Sequence, residues 1–156
     1  MTGSKVSPNR SSTDRIEKSV ILRAPRSRVR RALTDTSQFG EWFGARLSGT
    51  FTPGQRMRGQ ITIPGYDHLA FDVLVDRMEP ERLFSYRWQP GGDPDKEPMT
   101  LVVFELEDVS EGTRLTVTES GFDQIAPARR SKAFRENEQG WAGQLENISR
   151  YLAKPR

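Results

Sequence analysis

Apolar positions recur with period two at the start of the chain. In "IEKSVILRA", Ile16, Val20, Leu22 and Ala24 fall on one face and only Lys18 interrupts them, which predicts a half-buried strand. Pro25 then fits the first position of a helix, where its missing N–H costs nothing. Val29, Ala32 and Leu33 follow at i, i+3 and i+4 with arginines between them, the pattern of a short amphipathic helix. "DTSQFGEWFG" restarts with Thr36 and Ser37 as candidate caps and presents Phe39, Trp42 and Phe43, so a second short helix is expected.

After Gly44 the period changes. "ARLSGTF", "RMRGQITI", "HLAFDVLVDRME", "RLFSYRWQ", "MTLVVFELED" and "TRLTVTES" read as strands punctuated by Pro53-Gly54, Pro64-Gly65, Pro80-Glu81 and Glu111-Gly112. Short links make successive strands antiparallel, because a parallel pair needs a crossover of a dozen or more residues. "QPGGDPDKEP", with three prolines and two glycines, predicts a long exposed loop. Pro127 opens a long helix to about Ala153, whose stripe of Trp141, Leu145, Ile148 and Leu152 is interrupted by Gly140 and Gly143. A glycine in a helix interior costs about 1 kcal/mol relative to alanine. Gly140 is therefore expected to admit a neighbouring backbone or to leave open space beside Trp141. The order is strand, two short helices, about six antiparallel strands and one long helix, an α+β arrangement in which a curved sheet wraps the last helix.

Composition narrows the function. At 156 residues the chain fits one domain, with residues 1–15 as a flexible tail and 16–154 as the folded unit. No apolar run reaches membrane-spanning length and no leader pattern opens the chain, so a soluble, cytoplasmic protein is expected. The absence of cysteine excludes disulfides and thiolate metal sites, and a single histidine is too few for a histidine-based catalytic metal centre. No metal or cofactor is expected. The net charge is +3; Lys5, Arg10 and Arg15 against Asp14 put +2 in the tail, leaving +1 for residues 16–156. Two basic runs remain, Arg23, Arg26, Arg28, Arg30 and Arg31, then Arg129, Arg130, Lys132 and Arg135, and neither is interleaved with aromatics. Solvated helix faces explain them better than a nucleic-acid footprint.

The chemistry-bearing signals are sparse. No phosphate-cradling glycine loop and no nucleophile elbow occurs. Trp42, Phe43, Phe71, Phe84, Tyr86, Trp88, Phe104 and Trp141 occupy apolar positions, and burial in a core alone explains each. As a set facing a helix with two glycines, they leave room for an apolar pocket. Its candidate lining is Trp42, Phe43, Phe71, Val73, Tyr86, Trp88, Phe104, Trp141 and Leu145, with Tyr86, Glu119 and His68 as candidate polar groups. Glu119 shares a face with Leu115 and Val117; the strand does not say which face is concave, and a strand-end carboxylate in water is the commoner outcome. His68, beside Asp67 after a turn, reads first as a solvated loop residue. No residue is assigned as catalytic.

"IEKSVILRAPRSRVRRALTD", "FGEWFG", "GTRLTVTESGF" and "NEQGWAGQLENISRYL", in that order and spacing, resemble the domain related to the C-terminal part of the activator of the Hsp-90 chaperone ATPase. That family belongs to the START/Bet v 1-like (SRPBCC) superfamily, and the resemblance covers about residues 16–153. One departure is Thr36, where relatives often carry proline after "TD". The resemblance implies a helix-grip fold, often enclosing an apolar cavity for lipids or other hydrophobic ligands, with some relatives acting as cyclases or hydrolases. It transfers no fixed catalytic motif; Trp42, Gly121, Phe122 and Trp141 look structural. The first expectation is a domain binding a hydrophobic small molecule or lipid. The alternatives are a co-chaperone-like module with a protein partner and a cavity enzyme using Tyr86, Glu119 or His68. A monomer or homodimer is expected.

Overall fold

A computed structural model describes residues 15–89 and 98–154. Residues 1–14 of the expected tail and residues 90–97 of the expected long loop lie outside the described residues. Strand β1 (Arg15–Leu22) is followed by helices α1 (Arg26–Thr34) and α2 (Thr36–Phe43). Strands β2 (Ala45–Arg46), β3 (Arg56–Ile61), β4 (Ala70–Glu79), β5 (Leu83–Trp88), β6 (Thr100–Val109) and β7 (Gly112–Ser120) come next. A short 3-10 turn (Phe122–Gln124) leads into α3 (Pro127–Ala153). The seven strands form one sheet in the order β1-β7-β6-β5-β4-β3-β2, antiparallel throughout. This is the curved sheet around a long C-terminal helix that the order of elements predicts.

The ends of the helices differ in detail from expectation. Pro25 is the N-cap of α1 rather than its first helical residue; its backbone is extended and its carbonyl accepts from the Arg28 and Val29 N–H groups at 3.0 and 3.1 Å. Asp35, not Thr36 or Ser37, caps α2, its carboxylate accepting from the backbone N–H of Ser37 (2.9 Å) and Gln38 (3.1 Å). Gly44, with φ of 95°, closes the same helix in the left-handed conformation that side chains resist.

Curvature has a local cause in β4. The register against β5 slips between Val75 and Arg77, so Asp76 is the extra residue of a bulge. The buried Ser85 hydroxyl bridges the defect, donating to Asp76 Oδ2 (2.9 Å) and accepting from the Arg77 N–H (3.1 Å). On the concave side Val73, Val75, Phe84, Tyr86, Val102, Phe104, Leu115 and Val117 are buried and meet Ala133, Trp141, Leu145 and Ile148 of α3. Each large apolar side chain so buried contributes roughly 1.5–3 kcal/mol. Helices α1 and α2 close one end of this core with Val29, Leu33, Phe39 and Phe43. Among the described residues no helix is long and apolar enough to cross a membrane.

Candidate functional site

Three strand ends and one helix face meet around Glu119. Antiparallel pairing sets Trp88, the last residue of β5, opposite Thr100, the first of β6. Val102, two residues on, lies opposite Glu119 of β7, so the three side chains gather at one end of the concave face. On α3, Asn137, Trp141 and Gln144 recur at i, i+4 and i+7 and share one stripe. Glu119 is completely buried. Its Oε1 accepts from Trp141 Nε1 (2.8 Å) and Asn137 Nδ2 (2.9 Å). Its Oε2 accepts from Trp88 Nε1 (2.9 Å), Thr100 Oγ1 (2.5 Å) and Asn137 Nδ2 (3.1 Å).

Strand-end exposure, the commoner outcome for such a residue, is therefore corrected. The physical reason is donor supply: two indoles, one amide and one hydroxyl replace the water a buried carboxylate loses. Indole and amide N–H groups can only donate, so the carboxylate is the acceptor that satisfies them. In return it fixes the two indoles, whose rings stack with centroids 5.8 Å apart and planes 29° from parallel.

Beside this cluster the surface opens. A cleft of about 490 Å³ lies between α3, the end of α2 and the β3–β4 hairpin, with Phe43, Ile61, Ile63, Leu69, Phe71 and Trp88 as its apolar lining. Asn137, Gln144 and Gln89 supply amides. At the rim Asp72 is shared by Arg56 (2.8 Å) and Arg58 (3.3 Å). Tyr66 and Leu69, two of the large apolar residues left exposed (58% and 43%), stand at this opening. A smaller hollow of about 120 Å³ adjoins it, sharing Phe43, Trp88, Asn137 and Gln144 and adding Trp141, Gly140 and Glu136. A Cβ placed on Gly140 meets nothing within 4 Å, and the same holds for Gly143. Of the two reasons expected for Gly140, close backbone approach falls away and open space remains.

The sequence-derived candidates divide accordingly. Phe43, Phe71 and Trp88 line the cleft and Trp141 the smaller hollow. Trp42, Val73, Tyr86 and Phe104 lie in closed core, Trp42 donating its indole N–H to the Ala32 carbonyl at 2.7 Å. Leu145 faces the other flank of α3, along an open groove beside Lys18, Ser19 and Val20 of β1. Tyr86 shares the concave face with Glu119, its phenol fully buried and without a hydrogen-bond partner among the described residues. Burial, with the Glu119 charge adding to it, raises that phenol well above its ordinary range. His68 sits in an exposed turn outside both hollows. Among the described residues no group of three or more carboxylate or imidazole side chains gathers as a metal site requires.

Sequence reasoning missed Asn137, Thr100 and Gln144. The available signal was a polar residue at each end of the stripe centred on Trp141, where an uninterrupted core stripe would be apolar. Gln144 donates to the Phe43 carbonyl at 2.8 Å, tying α3 to the end of α2 beside the cleft.

Comparison with known proteins places the fold. The chain is 30% identical to DynU16, a protein of the dynemicin biosynthetic locus, with a TM-score of 0.72; the match covers 89% of this chain and 47% of DynU16, so the chain spans about half of that protein. MLL2253 from Mesorhizobium loti is 24% identical, with a TM-score of 0.73 and coverage of 88% and 96%. The Aha1 dimer from Colwellia psychrerythraea is 20% identical, with a TM-score of 0.69 and coverage of 88% and 95%. No match was found among curated proteins. The sequence profile of the family described as "Activator of Hsp90 ATPase homolog 1-like protein" matches residues 23–153. That span runs from the end of β1 to the last residue of α3, so the chain belongs to the family of activator of Hsp90 ATPase homolog 1-like proteins.

Proposed function

We propose that this chain binds a hydrophobic small molecule in the cleft between α3 and the β3–β4 hairpin. The observation that carries the reading is an aromatic and aliphatic cleft of about 490 Å³ open beside the buried core. Small-molecule sites span about 300–1,000 Å³, mostly apolar with a few placed polar groups. Phe43, Phe71 and Trp88 provide the apolar wall, and Asn137 and Gln144 provide amides that orient a ligand. Affinity comes from apolar burial at roughly 25 cal/mol per Å², less the cost of association.

The alternatives have less to rest on. For a cavity enzyme, Glu119 has both oxygens occupied by donors, the Tyr86 phenol lies in closed core and His68 lies outside the site. For a protein-binding face built on the first arginine run, Arg26 lies 3.1 Å from Asp108 and Arg28 stacks on the Tyr151 ring, so the run is not one free surface.

The test is a titration with N-phenylnaphthylamine, a neutral apolar fluorophore, on the wild type and on Leu69→Ser. Leu69 is half exposed, so its replacement leaves the core intact. A saturable fluorescence rise in the wild type, weakened several-fold by Leu69→Ser, supports the cleft. A signal absent from the wild type, or indifferent to Leu69→Ser, removes it.

A further inference from the structure

Resting on the reading of the cleft as a ligand site, we infer that its smaller hollow is a subsite for an ammonium group, so that the preferred ligand is a cationic amphiphile. Three rings, Phe43, Trp88 and Trp141, border that hollow, their centroids 5.8–6.4 Å from one another. A ring face carries the negative lobe of its quadrupole and attracts a cation within about 6 Å, indole most strongly. Both indoles donate their N–H groups to Glu119, which is not among the residues lining the hollow. Donation to a carboxylate leaves each indole more electron-rich, which strengthens its hold on a cation.

Charge acts in the same direction. Glu119 is a buried carboxylate whose partners among the described residues are all uncharged, so its negative charge is not cancelled within the site. Glu136, a second carboxylate, stands at the edge of the hollow, and the exposed Lys132 lies 4.0 Å from it. Arg58, the one cation lining the larger cleft among the described residues, is paired with Asp72. A volume of about 120 Å³ suits a compact ammonium head, and Gly140 is among its lining residues, with no atom within 4 Å of where a Cβ would stand. The apolar body of the ligand then lies along Phe71 and Ile63 in the larger cleft.

The experiment compares benzyltrimethylammonium with neopentylbenzene, its neutral carbon isostere, and with benzylsulfonate. Each competes against N-phenylnaphthylamine on the wild type, Glu119→Gln and Gly140→Leu. The inference expects the cation to bind the wild type at least about tenfold more tightly than the isostere, and the sulfonate to bind most weakly. Glu119→Gln reduces the preference. Gly140→Leu, a helix-favouring change at an exposed position, removes cation binding while the fluorophore still enters the larger cleft. Cation binding unchanged in Gly140→Leu overturns the subsite even where Glu119→Gln fails to fold. Equal affinity for cation and isostere, or preference for the sulfonate, overturns the inference and leaves the apolar cleft standing. Failure of the fluorophore itself to bind the wild type overturns both.

Discussion

At the scale of single residues, Glu119 is where local pattern and final environment part company. Its alternation with Leu115 and Val117 places it correctly on one face, but nothing nearby in the chain explains why a carboxylate tolerates that face. The donors come from 18 to 31 residues away, on three other elements, and such convergence is invisible to a period-two pattern. Glu119→Gln keeps the volume but turns an N–H₂ group toward donors, so it is expected to cost about 1–3 kcal/mol for each donor left unpaired. A urea midpoint shift at constant slope measures this; an unshifted midpoint contradicts the network. Tyr86 makes the opposite case. Its hydroxyl has no partner among the described residues, so Tyr86→Phe is expected to be neutral or to stabilise by about 1 kcal/mol. The unfolded phenol ionises near 10 while the folded one holds its proton to higher pH. Above that value the folded state binds more protons, and stability falls as pH rises. Thermal melts across alkaline pH should show a shallower decline in Tyr86→Phe than in the wild type.

Elements were more legible than their ends. The 3.6-residue stripe and Pro127 located α3, because a long helix repeats its signal many times. The cap of α2 is Asp35 rather than the expected Thr36 or Ser37, since all three are competent caps and only backbone geometry selects Asp35. Asp35→Ala is expected to lower stability by about 1 kcal/mol, against near neutrality for Ser37→Ala. The glycines of α3 were visible as anomalies without a reason. Both face open space, so Gly143→Ala should stabilise by about 1 kcal/mol, read as a higher denaturation midpoint. Gly140→Ala should gain a similar amount while adding a methyl group to a residue that lines the smaller hollow.

For the whole molecule, the antiparallel meander and the helix-grip arrangement were readable because short turns force antiparallel neighbours and the family's motifs span nearly the whole fold. The pairing of β1 with β7, by contrast, joins strands about ninety residues apart and left no local signal. The cleft was readable only as a set of aromatics. Phe43, Phe71 and Trp88 border it and Trp141 borders the adjoining hollow, whereas Val73, Tyr86 and Phe104, identical in pattern, fill the core behind. Pattern reports which face is buried, not how far the sheet and helix stand apart. The proposed ligand enters beside Trp88 and Trp141. The chain has three tryptophans, and their indole N–H groups are separate reporters. Two donate to Glu119 at the site, and that of Trp42 donates to Ala32 in the closed core. Nitrogen–proton correlation spectra recorded through a titration with N-phenylnaphthylamine read that entry at each indole. Saturable shifts of the Trp88 and Trp141 indole signals are expected, with Trp42 nearly stationary. Three stationary signals at saturating probe, or a Trp42 shift as large as the others, contradict entry at this site.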